Sequence, residues 1–255
     1  MKHKGHIPIL AFVVLLAFVA CPPASAQRRP RHPEKDPQYQ YEKGLVALNY
    51  GLLDEAIRYG DLAVSLDPKS YEGHNLLGNA HYKKGEFAQA AAAFEKAVEL
   101  RPGLAEPHVN LALAMFETGD LGRAETELKQ AEAIKPEANV SFYLAKIYFQ
   151  QKKHDEALAE IQKSISLNPR NPGTYNIKGV ILNELQRYPE AIGSFQAGLV
   201  MAPDDVSLQI NLGLAYVNNN EPDKARPVLE KVLPNVKDVV LKTRIEDYLK
   251  SLKNL

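Results

Sequence analysis

One cysteine, Cys21, is all the sequence holds in 255 residues, so no disulfide within the chain can staple the fold. Charge is missing as a lever too: 31 basic residues stand against 31 acidic ones. Without a basic surplus, and without aromatics interleaved with Arg or Lys, the chain offers no track for nucleic acid. There is no HExxH, no GxSxG elbow, no phosphate-cradling glycine loop and no cysteine cluster. These absences remove the common routes to catalysis, metal binding and cofactor chemistry. The expectation is a non-enzyme with no cofactor and no metal.

What is present begins with an export signal. Lys2 and Lys4 precede an apolar run from Ile7 to Ala20, too short to span a bilayer comfortably as a permanent helix. Two processing sites follow. Phe18-Val19-Ala20-Cys21 has the layout of a bacterial lipobox, which would leave Cys21 diacylated at a membrane. Ala24-Ser25-Ala26 before Gln27 is an ordinary signal-peptidase site, which would discard Cys21. Both stay open, and both export the chain, either to the periplasm of a bacterium or to its outer membrane as a lipoprotein. Residues 1–26 therefore read as export signal and 27–36 as a polar, proline-broken tether. Six repeat units follow over 37–233, and a capping helix over 234–255.

The repeat is marked by Pro68, Pro102, Pro136, Pro169 and Pro203, at intervals of 34, 34, 33 and 34 residues. A unit of that length is a stacking element rather than an active-site scaffold. Units start at Pro37, Tyr71, Ala105, Ala138, Pro172 and Val206, and each is expected to hold two short amphipathic helices. In the second unit Leu77, Gly78 and His81 share a face of the first helix, and Gly85 sits at the turn. Ala90, Phe94 and Ala97 share a face of the second helix, and Pro102 follows where it must stop. Gly44, Gly78, Ala112, Ala145, Gly179 and Gly213 take the eighth place, where close helix approach leaves no room for a side chain. Ala56, Ala90, Ala124, Ala157, Ala191 and Ala225 take the twentieth place in all six units and mark the contact between the paired helices.

The order His74, Leu77-Gly78, His81, Ala90, Phe94, Ala97, Pro102 resembles the tetratricopeptide repeat family, and the resemblance covers residues 37 to about 233. It implies an all-α, right-handed superhelical solenoid of six helix pairs that holds other proteins, as peptide or helix segments, in a concave groove. The layout is also similar, more weakly, to pilotin-type lipoproteins, which implies assembly of a pilus secretin. Recruitment of a cell-wall or polysaccharide enzyme is a further reading. His74, His81 and His108 fall at places the family fills with large core residues, which favours packing over metal ligation. The first unit departs from the pattern with Lys43 in place of Leu and Gly60 in place of a large residue. The sixth carries Pro227 inside its second helix, costing roughly 3 kcal/mol in a helix interior and predicting a kink or a late start. A last stripe, Leu241, Ile245, Leu249 and Leu252, predicts a helix that caps the stack, with Arg244 and other charged residues opposite.

One face is apolar beyond what the core needs. At 100° per residue, Val109, Leu113 and Phe116 lie roughly 90–150° from the core stripe of Leu111, Ala112 and Met115. Phe142, Lys146 and Phe149, and later Ile210, Leu214 and Val217, are the equivalent stripes. The other units place Tyr41, Leu45 and Leu48, then Asn75, Asn79 and Tyr82, then Asn176, Val180 and Asn183 there. The resemblance implies that this face lines the groove, which makes these residues the partner-binding candidates. The asparagines are expected to hold an extended backbone through donor–acceptor pairs. Lys83 and Lys146 do not match the arrangement with which the family clamps acidic C-terminal tails.

Overall fold

The computed structural model describes residues 32–252. The expected export segment, Cys21 with its processing sites, and tether residues 27–31 lie outside them. Thirteen α-helices and no strand make up the described residues. Twelve form six pairs: α1 (Pro37–Asn49) with α2 (Leu53–Leu66), α3 (Tyr71–Lys84) with α4 (Phe87–Leu100), and α5 (Ala105–Thr118) with α6 (Leu121–Ile134). Then come α7 (Ala138–Gln150) with α8 (His154–Leu167), α9 (Pro172–Glu184) with α10 (Tyr188–Met201), and α11 (Val206–Asn218) with α12 (Pro222–Val232). The capping helix α13 (Val239–Ser251) follows a 3-10 turn at Leu233–Asn235. Within the expected tether, Pro33–Lys35 form another 3-10 turn, and the Asp36 carboxylate caps α1 by accepting from the Gln38 N–H.

Each even helix packs on its own partner and on the next odd helix, so the core runs on from unit to unit. Odd helices also meet across units, at α1–α3, α3–α5, α7–α9 and α9–α11, and even helices make no comparable contact. The stack therefore bends toward the odd row, which forms its inner wall. The result is an all-α repeat solenoid.

The pairing rests on the two columns of small residues. All six twentieth-place alanines are fully buried, at 0% exposure. At the eighth place, a Cβ on Gly78 would overlap the Phe94 ring, and one on Gly179 would overlap Phe195. Where the facing residue is the smaller Leu128 or Ile161, the eighth place holds Ala112 or Ala145 (both buried). The pairing is not a fixed rule of volume, since Gly213 faces Leu229 and a Cβ there would overlap that side chain. In the first unit Gly60 leaves a gap that the second unit fills, since a Cβ there would stand 2.7 Å from Leu77 Cδ2.

A second regularity joins the units. The fourth-place side chain reaches back to the main-chain carbonyl six residues earlier: Gln40 to Glu34 (2.7 Å), His74 to Pro68 (3.1 Å), His108 to Pro102 (3.1 Å), Tyr175 to Pro169 (3.1 Å) and Gln209 to Pro203 (2.6 Å). In four of these the acceptor is the helix-stopping proline, whose carbonyl the helix itself leaves unserved. His74 is therefore a half-buried hydrogen-bonding group rather than a core residue. His81 binds the Glu86 carboxylate through Nδ1 at 2.6 Å, and only His108, at 7% exposure, is buried. The fourth unit breaks the rule. The α6–α7 connection is one residue shorter than the other links between repeat units, and Ser141, buried in the fourth place, does not reach back to a main-chain carbonyl.

The turns divide the chain in half. Gly51, Gly85 and Gly119 take left-handed backbone angles in the first three units, while Lys152, Gln186 and Asn220 hold the same place in the last three. Helix α12 starts at the same place in its unit as the other even helices despite Pro227, so no late start occurs. Pro222 at its first turn supplies a preset φ, and the helix instead ends early, in the 3-10 turn.

Candidate functional site

The inner wall is built from the fifth, ninth and twelfth places of the odd helices, one turn apart on a single stripe. At its centre, Phe116 on α5 and Phe142 and Phe149 on α7 are all half-buried, their inner edges against the core and their outer edges open. Lys146 stands between them. Its ammonium lies 4.6 Å from the Phe116 ring centre, 5.3 Å from Tyr143 and 5.9 Å from Phe142. Such contacts hold a cation by the negative faces of the rings without neutralising it. Lys146 makes no ion pair among the described residues. Helices α5 and α7 approach less closely than the other neighbours of the inner row, so Lys146 and the rings fill the seam.

The other candidates divide by position. Tyr41, Tyr82, Leu113, Ile210, Leu214 and Val217 are half-buried along the wall, as are Asn75, Asn79, Asn176 and Asn183. Val109 and Leu48 are not part of the open face: each is 8% exposed, Val109 in the central core and Leu48 in the core of the first units. Burial pushes the Tyr82 hydroxyl up to about 12, with the neighbouring Glu117 adding to the effect. Tyr82 therefore stays a neutral donor, and it donates to Glu117 at 3.5 Å.

The asparagines are already partly engaged. Asn110 donates to Asn75 Oδ1 at 3.1 Å, Asn211 to Asn176 Oδ1 at 2.8 Å, and Asn218 to Asn183 Oδ1 at 3.1 Å. Asn75 in turn donates to Glu106 at 3.2 Å. These pairs tie neighbouring odd helices together, which corrects the expectation of asparagines reserved for a ligand backbone. The Asn176 amide and the Asn211 carbonyl remain as a donor beside an acceptor. Sequence reasoning missed Asn110, Asn211, Asn218 and Tyr143. The first three were findable, since each stands 35 residues after its partner, one more than the period.

The arrangement offers apolar edges, one fixed cation and amide pairs, which is binding chemistry. Among the described residues no group of three His, Cys, Asp or Glu is placed to hold a metal ion.

Comparison with known proteins agrees on the repeat. A profile described as "TPR repeat" matches residues 78–119, and one described as "Tetratricopeptide repeat" matches 175–238. Between them, residues 129–198 match the profile of anaphase-promoting complex, cyclosome, subunit 3. The chain is a tetratricopeptide-repeat protein. It is 27% identical over 176 residues to the tetratricopeptide repeat and J domain-containing co-chaperone DNJ1 of Fusarium oxysporum, covering 66% of this chain and 34% of that one. It is 28% identical over 170 residues to the human protein O-mannosyl-transferase TMTC1, covering 64% and 19%. The chain thus spans about a third and a fifth of the length of these two relatives. Among solved structures, pilF of Pseudomonas aeruginosa superposes with a TM-score of 0.72 at 18% identity, over 85% of this chain and 99% of that one. Proteins of this family generally mediate protein–protein interactions, and the scaffold is generally non-catalytic.

Proposed function

We propose that this tetratricopeptide-repeat protein is a non-catalytic scaffold of the bacterial cell envelope that binds a segment of a partner protein along its inner wall. The observation that carries the reading is the seam at α5–α7, where half-buried Phe116, Phe142 and Tyr143 surround an unneutralised Lys146, with half-buried Phe149 on the same stripe of α7. A wall facing only water has no reason to keep such edges apolar. The basic start, apolar run and processing sites of the first 26 residues support the envelope setting.

Magnitudes say what kind of binding to expect. Full burial of three phenylalanines contributes on the order of 5–9 kcal/mol, and here part of that surface is already covered. Association costs about 4–15 kcal/mol. The seam alone therefore gives weak capture, and a useful complex needs most of the wall or several copies together. That suits a scaffold in a large assembly better than a tight inhibitor.

Crosslinking in native envelopes, followed by identification of what is captured, is the direct test. Substituting Phe142→Glu with Phe149→Glu should abolish capture while leaving helicity intact. Unchanged capture would sink the binding-wall reading, and partners recovered only from the cytoplasm would sink the envelope setting. A narrower reading, assistance to pilus secretin assembly, rests on the layout of export signal and repeats that resembles pilotin-type lipoproteins. It requires a secretin subunit among the captured proteins.

A further inference from the structure

The inner wall is not electrically even along its length. Three carboxylates of α3 and α5, Glu72, Glu106 and Glu117, have no ionic partner among the described residues. Glu72 and Glu106 hold the second place of their helices. A carboxylate there suits the positive end of a helix, but α7, α9 and α11 have Asn139, Gly173 and Ser207 at that place. The helix start by itself therefore does not require the acid.

Tyrosines flank the pair. Tyr41 of α1 and Tyr71 of α3 are half-buried. Burial pushes both hydroxyls up, and Glu72 and Glu106 add to each rise. The same two carboxylates act on both phenols, which puts the four side chains in one patch. Asn75 joins it by donating to Glu106 at 3.2 Å. The Tyr71 hydroxyl oxygen is buried there with no hydrogen-bond partner, a polar atom left unserved. The chain's own cations leave the carboxylates open. Helix α5 has no Lys or Arg, and Lys84 of α3 is held by Asp54 and Glu86. Lys83 stands about three turns and 16 Å from Glu72 along the axis of α3. Arg101 lies over the Tyr71 ring, 6.0 Å from its centre, and makes no ion pair among the described residues.

We propose that this patch takes an arginine side chain of the bound segment, with its guanidinium against the Tyr41 and Tyr71 rings and Glu72 and Glu106 as counter-ions. Arginine suits the site better than lysine, because a planar guanidinium stacks on aromatic faces and its fork of donors serves carboxylates in pairs. The two carboxylates come from neighbouring helices, so one guanidinium between them engages two repeat units at once. Lys146 presents the opposite sign further along the wall, on α7. This change of sign decides which end of a segment lies over α3 and which over α7. The inference rests on the binding-wall reading, because it names what the segment carries where it crosses α3 and α5.

The test uses the full chain and two dye-labelled dodecapeptides with a Phe/Leu centre. One has an arginine near each end, and the other has citrulline, the uncharged isostere, at both places. Fluorescence anisotropy should show the arginine peptide binding roughly tenfold or more tightly, the effect of one hydrogen-bonded charge. Glu72→Gln with Glu106→Gln should erase the preference. Both residues are exposed, so this variant is expected to keep the parent's thermal melt. Glu99→Gln with Glu190→Gln removes the same charge from exposed pairs of the outer row and should leave the preference intact. Equal binding of the two peptides, binding of neither, a preference that survives Glu72→Gln with Glu106→Gln, or one lost equally in the outer-row variant would each overturn the proposal. The two readings fail separately. Lost partner capture in the Phe142→Glu, Phe149→Glu variant with equal binding of the two peptides to the parent would remove the arginine site alone. An arginine preference alongside unchanged capture would remove the aromatic seam as the binding wall and leave the patch.

Discussion

The inner and outer rows share one period but treat charge in opposite ways. On the outer row, carboxylates are matched with cations: Glu95 with Arg123, Glu99 with Lys96, Glu125 with Lys129, Glu132 with Lys163 and Glu190 with Arg187. On the inner row Lys146 lies against rings, Glu106 accepts from an amide and Glu117 from a phenol, and none of the three has an ionic partner among the described residues. Exposed pairs contribute little stability each, typically about 0–1 kcal/mol, so the difference is not chiefly one of folding energy. Ion pairs knit much of the outer row to itself. On the inner row Lys146, Glu106 and Glu117 are left to rings, an amide and a phenol, and are open to a partner's charge.

The sharpest way to test that division is to remove one phenylalanine from each side of it. Phe94 is fully buried between α3 and α4, at 1% exposure, and Phe94→Ala should cost about 3–5 kcal/mol. Phe142→Ala, at the half-open wall, should cost well under half as much. Urea unfolding measures both. Similar losses would mean that the wall phenylalanines are core residues, and the division between rows would fall.

Most of the fold was legible in the sequence because packing repeats. The alanine column arises from one geometry used six times, so periodicity alone exposes it. The inner wall was legible as a stripe, from which Leu48 and Val109 turned out to belong to the core. What stayed hidden was polar pairing. The reach of His74 and Gln209 to proline carbonyls joins unlike residues at one place, and no residue-type pattern marks it. The Asn75–Asn110 pair runs one residue off the period because it crosses between neighbouring helices.

The turns test whether the two halves of the chain differ in more than sequence. Lys152 holds φ at 63°, where Gly51, Gly85 and Gly119 stand in the first three units. A non-glycine residue there costs roughly 1–2 kcal/mol, partly offset by the greater chain entropy that glycine loses on folding. Lys152→Gly should therefore stabilise the protein by about 1 kcal/mol, and Gln186→Gly should do the same. A loss in thermal or urea unfolding would show that the Lys152 contacts with Glu184 (3.4 Å) and the Phe149 ring outweigh the backbone strain.

The subtlest expected effect compares two adjacent units. In the third, His108 Nδ1 meets Glu127 at 2.7 Å. In the fourth, Ser141 replaces the histidine, and the corresponding Glu160 has a buried Oε2 with no hydrogen-bond partner. Burial pushes the Glu160 carboxyl up, and Glu132 nearby adds to the rise against the opposing pull of Lys163, the Ser141 hydroxyl and Lys129. The sign follows from that direction. The folded state disfavours the ionised form, so Glu160 subtracts from stability at neutral pH, and the penalty is relieved as pH falls through its raised pKa. Glu160→Gln should raise the melting temperature at neutral pH, with a gain that shrinks below the usual carboxylate range. Thermal melts between about pH 4 and pH 8 resolve this. A gain that does not change with pH would assign the effect to packing, and a loss at neutral pH would mean that the ionised carboxylate has a favourable role in joining the fourth unit to its neighbours.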